Sequence, residues 1–196
     1  MVEMLGQNQC YMWALEIVHY FRPLGFFADW ARLSEDQLVT KLLAQRRWIW
    51  GFRDFDPSSI QEELGLLSLD KERIWWRDLE ANVCAENQVY VTTLQEWSRI
   101  ARGAFQLEHV QEQWASDEGP ITLSLLLDGQ PITLHPVFYG DWLDLNILSA
   151  LNQLIRNRGT QFEVYAAFDQ TAYVVLLTKA EKARLQAERG WRFALS

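Results

Sequence analysis

The chain of 196 residues carries 18 Lys and Arg against 26 Asp and Glu, a formal net charge of −8, and its sequence pI is about 4.9. So acidic a balance argues against a nucleic-acid partner, which would need cations to neutralise phosphates, and favours a basic protein partner. Two cysteines, Cys10 and Cys84, exclude a disulfide framework, and no apolar run is long enough to span a bilayer, so a cytoplasmic protein without membrane association is expected.

The N-terminal residues show no basic region followed by an apolar stretch and a cleavage site, which fits that expectation. Residues 7–21 place Tyr11, Ala14, Leu15, Val18 and Phe21 on one stripe, predicting a helix that Arg22-Pro23 ends. Ser34 and Gln37 form a capping box, with Leu33 and Leu38 at staple positions, and open a second helix expected to reach about Arg47. Asp56-Pro57 predicts a short helix as far as Leu64, stopped by Gly65.

A further helix is expected from Asp70 to Leu79, then a short strand at Gln88–Val91 and a helix opened by a Thr93 and Glu96 capping box. One or two helical turns are predicted over 107–115. Ser116-Asp-Glu-Gly-Pro120 then reads as a linker. It divides a helical lobe, residues 1–118, from an α+β lobe, residues 119–196, the two sharing an interface.

The clearest local signals lie in 121–178. Ile121, Leu123, Leu125 and Leu127 alternate with polar Thr122 and Ser124 as a strand does, and Asp128-Gly129 suits a two-residue turn. Ile132–Phe138 is the predicted return strand, placed at a sheet edge because Pro131 and Pro136 donate nothing to a ladder. Asp141 is expected to cap a helix running to Arg158, with Asp144 adding charge at its positive end and Gly159 as its left-handed stop. Strands at 162–168 and 172–177 follow, and Thr178 with Glu181 caps a last helix that Gly190 ends. The predicted class is α+β, a mostly helical N-terminal lobe packed on one small antiparallel sheet in the order β-β-α-β-β-α.

Signals of chemistry are sparse. The sequence has no Gly-x-Ser-x-Gly elbow, no phosphate-cradling glycine motif and no histidine pair at ligand spacing, so no cofactor or metal is expected. His135 is predicted to project opposite the alternating leucines, where Asp141 can orient it. These two with Asp144 are the candidate catalytic residues, although no third member of a nucleophilic constellation accompanies them. The competing reading makes Asp141 and Asp144 helix-capping groups, and Glu62 with Glu63 part of a solvated helix face.

Residues 45–55 interleave Arg46, Arg47 and Arg53 with Trp48, Trp50, Phe52 and Phe55, a mix that stacks rings or holds an anion. Arg46, Arg47, Trp48, Trp50 and Arg53 are therefore the candidate ligand-binding residues, against a plain reading as an extended segment packed into the core. Ten tryptophans imply either a core filled with large rings or an aromatic binding surface. The expected function is a non-enzymatic binding protein that engages another protein through an acidic or aromatic surface, in a toxin-neutralising or regulatory role. The alternative is a small enzyme or small-molecule binder using a cleft between the lobes near His135 and Asp141. A homodimer burying surplus tryptophan and leucine at a twofold interface is compatible with both.

Overall fold

The computed structural model describes residues 2–50, 55–166 and 170–194, with side chains for 8–46, 55–165 and 170–194. Among them are six α-helices and two three-stranded antiparallel sheets, an α+β fold. The chain divides into two units, Met1–Ile74 and Trp75–Ser196, so the division falls well before residue 118.

In the first unit, α1 (Val2–Phe21) buries Trp13, Ala14, Ile17, Val18 and Phe21, one apolar stripe at helical spacing. A short 3-10 turn at Arg22–Leu24 with proline in its first turn follows it. Arg22 there donates to the carbonyls of Trp30 and Leu33 at 2.9 and 2.7 Å, which fixes the aromatic loop. The Ser34 box forms as the sequence predicts, with Ser34 N–H donating to Gln37 Oε1 at 3.0 Å and Gln37 N–H to Ser34 Oγ at 3.2 Å. It opens α2 (Glu35–Trp50), so Trp48 and Trp50 lie on a helical backbone and not in an extended segment.

Helix α3 (Ile60–Leu67) begins later than Asp56-Pro57 suggests. The Asp56 carboxylate is held locally, accepting from Ser58 N–H at 2.9 Å and Ser58 Oγ–H at 2.6 Å, and Ser59 takes the cap position. Gly65 is inside α3 and buried, so it does not end the helix.

The helix expected over 70–79 is instead β1 (Ile74–Asp78), where a β-branched residue and two large aromatics suit a pleated strand. It lies beside β6 (Thr171–Thr178), which pairs antiparallel with β5 (Thr160–Ala166), giving the order β1-β6-β5. Residues 167–168, the expected end of β5, fall outside the described residues. The other sheet is a meander of β2 (Leu107–Trp114), β3 (Ile121–Leu127) and β4 (Gln130–Leu134). The four strands expected in one sheet therefore belong to two.

Strand β2 replaces the predicted helical turns. Its register against β3 shifts between Glu108 and Gln111, with His109 at φ 52, and the extra residue brings Leu107, Val110 and Trp114 to i, i+3, i+7 spacing that imitates a helix. Ser116–Pro120 is accordingly the β2–β3 connection, closed by Ala115 N–H donating to the Pro120 carbonyl at 3.1 Å. Asp128 and Gly129, at φ 50 and 78, make the predicted two-residue hairpin. Strand β4 is an edge, as its prolines require, and stops at Leu134 before Pro136.

Helix α4 (Val89–Ile100) begins where a strand is expected, and Thr93 is buried inside it, not at its cap. Helix α5 (Ile147–Ile155) starts six residues beyond Asp141 and runs through a 3-10 turn to the predicted stop at Gly159, φ 73. Helix α6 (Lys179–Arg189) has the full Thr178–Glu181 box and ends at Gly190, φ 68. Buried Leu123 and Leu125 of β3, Trp97 of α4, Leu148 and Leu151 of α5, and Phe162 of β5 form one apolar cluster. Asn152 ties α5 to β5, donating to the Phe162 carbonyl at 2.9 Å and accepting its N–H at 2.7 Å. No helix among the described residues is long and apolar enough to cross a membrane.

Candidate functional site

A series of buried polar contacts leads from β2 through α4 to the loop before α5. Glu112 of β2 is buried, and its Oε2 accepts the N–H groups of Tyr90 at 3.0 Å and Val91 at 3.4 Å. Those amides belong to the first turn of α4, which leaves them without intrahelical partners, and the carboxylate also meets the positive end of the helix dipole. Glu112 Oε1 accepts the Trp114 indole N–H at 2.9 Å. A group from another strand thus starts α4, whose own cap residue Gln88 sits at φ 52 and makes no side-chain cap bond.

Tyr90 is thereby fixed, and its hydroxyl accepts the Asp144 N–H at 3.0 Å. Burial pushes its phenol up to about 12; the Asp144, Glu112 and Tyr139 charges act the same way, and the Asp144 N–H bond opposes them. Asp144 is itself buried. Its Oδ2 accepts Val137 N–H at 2.8 Å and its Oδ1 accepts Asn146 N–H at 2.9 Å, so one carboxylate clamps both ends of the loop.

The clamped loop turns tightly at Gly140, φ 62, and Asp141, between the bridged pair Tyr139 and Trp142. Trp142 also bridges Glu80, and Leu143 N–H donates to the Leu79 carbonyl at 2.8 Å, as does Ala81 N–H to that of Asp141. Residues directly opposed across such bridges put their side chains on one face, so Glu80, Trp142 and Tyr139 form a row. Val137, Tyr139 and Trp142 are 49%, 54% and 39% exposed. Among the described tryptophan side chains, Trp142 is the most exposed, and the remainder serve packing first. Asp78, Glu80 and Asp141 are exposed carboxylates on the same two segments.

The structure separates the sequence candidates by role. His135 is exposed, just past the end of β4. Asp141 is exposed, contributing its carbonyl to the loop, and it does not cap α5. Asp144 instead holds the N–H of Asn146, the cap residue of α5, which makes no side-chain cap bond of its own. In the first unit, Arg46 is buried, pairs with Glu62, and lies 5.5 Å from the Phe55 ring centroid. Glu62 is thus half-buried and paired and Glu63 is buried, contrary to a solvated face. Burial pushes the nearby Cys10 thiol up, which Arg46 opposes. The side chains of Arg47, Trp48 and Trp50, and all of Arg53, lie outside the described residues.

Tyr90 and Glu112 carry no local sequence signal, because they act 22 residues apart. The turn had one: Gly140-Asp141 flanked by two aromatics. Among the described residues, no three His, Cys, Asp or Glu side chains gather closely enough to hold a metal ion. What the arrangement offers chemically is a braced pair of rings beside carboxylates. Comparison of this α+β chain with protein-family models, with curated proteins and with solved structures finds no match.

Proposed function

We propose that the protein is a non-enzymatic binding protein of the cytoplasm, and that it engages a basic protein partner through the Tyr139–Trp142 turn. The observation that carries this reading is the exposure of both rings on a turn whose two ends are clamped by the buried Asp144 carboxylate. A rigid exposed aromatic pair is suited to an interface hot spot, since little freedom remains to be lost on binding. Asp78, Glu80 and Asp141 beside it, and the net charge of −8, favour encounter with a basic surface. Covering such a surface regulates or neutralises the partner. Against catalysis at Asp144 stands its geometry, with each oxygen accepting a backbone amide.

The test is parallel affinity capture from lysate with the wild-type protein and with the Tyr139→Ser/Trp142→Ser double variant, after checking that both melt alike. A protein retained by the first and lost from the second is the expected result. Retention of the same proteins by both, or of a metabolite alone, overturns the reading. A second copy of this chain as the bound protein shows itself as a dimer in sedimentation that the double variant dissociates.

A further inference from the structure

We infer that the row formed by Glu80, Trp142 and Tyr139 is a seat for an arginine side chain of a basic partner, an inference that rests on the binding role proposed above. Cross-strand neighbours stand about 5 Å apart at Cβ. The Cβ atoms of Tyr139 and Glu80 therefore flank that of Trp142. Both rings stand partly open to solvent, and Glu80 next to them is exposed as well, so an incoming cation can reach ring and carboxylate together.

Glu80 is also oriented. Gln170 Nε2 donates to its Oε2 at 3.0 Å, and its own N–H donates to Asp78 Oδ1 at 3.0 Å, which sets a second carboxylate beside it. Guanidinium fits this combination better than ammonium, because its plane stacks on a ring while its edge presents paired N–H donors to a carboxylate. The protein's own Arg77 is bound elsewhere, to Glu96 at 3.2 Å. Anionic partners, including phosphate-bearing ones, meet repulsion from Asp78, Glu80 and Asp141.

The test is titration of the full chain with a blocked Gly-Arg-Gly-Arg-Gly peptide and its lysine counterpart, at low and high salt. The Trp142 indole N–H is followed by NMR, assigned through Trp142→Phe. The arginine peptide is expected to shift that signal, to bind more tightly than the lysine peptide, and to weaken with salt. Glu80→Gln is expected to weaken it about threefold, and Trp142→Leu, which stays apolar, about fivefold. An unmoved indole signal, or equal binding of both peptides with no effect of Glu80→Gln, overturns the inference. If the double variant of the capture experiment still loses its partner in that event, the seat is wrong and the binding surface stands. If capture is also unchanged, both fall.

Discussion

Replacing Asp144 by alanine separates a bracing carboxylate from a reacting one. In the structure the side chain accepts two backbone N–H groups, from Val137 at 2.8 Å and Asn146 at 2.9 Å. Hydrogen bonds to a charged group contribute about 1.5–3 kcal/mol each, and since Val137 and Asn146 are themselves exposed, water recovers part of that, which places the loss near 3 kcal/mol. For a chain of this length the melting temperature then falls by roughly 6–12 °C. Asp144→Asn keeps one acceptor and turns an amide donor toward the other N–H, so its loss should be about half as large or somewhat more. Calorimetry gives the stability of both variants, and capture of the partner should weaken with them although neither ring is changed. An Asp144→Ala protein that melts within about 1 °C of wild type refutes the clamp. A catalytic activity lost without any fall in melting temperature restores the enzyme reading.

The Glu163 carboxylate is fully buried with Lys182 Nζ at 2.7 Å, so Lys182→Met strands a charge and should cost roughly 2–4 kcal/mol in urea denaturation. Adding Glu163→Met should recover most of that; equal losses for the single and double variants would contradict it. The Tyr90 phenol, raised to about 12 from 10.0, holds its proton in the folded state after the unfolded chain has released it. Its contribution is therefore complete below pH 10 and is lost as pH rises to about 12, with a slope of up to about 1.4 kcal/mol per pH unit. Tyr90→Phe should flatten that decline, and an unchanged alkaline slope would show that the other raised groups, Tyr173, Tyr11 and Cys10, account for it instead.

What could be read along the chain was what local bonds decide. The Ser34 and Thr178 boxes, the Asp128-Gly129 turn and the alternating leucines of β3 use partners within a few residues, and all four form. In α4 the sequence shows the buried side, Leu94, Trp97 and Ile100, but hides the start, because the first-turn amides are met by Glu112, on a strand 22 residues away from Tyr90. Strand β2 was hidden because a bulge at His109 converts period two into an apparent helical spacing. The same division runs through the site. Asp144 was visible as a residue that serves a helix start, whereas its hold on Val137 and the Tyr139–Trp142 row depend on a turn that Asp141 disguised as a cap. The sequence offers Arg46 either as a ligand group or as a packed arginine paired with a carboxylate, and cannot name the partner, Glu62, that the fold supplies.

Amide hydrogen exchange on the captured complex addresses the binding surface most directly. Slowed exchange on binding should centre on residues 137–143 and on 79–81, which lie beside them. Slowed exchange confined to 45–55, with 137–143 unchanged, would contradict it.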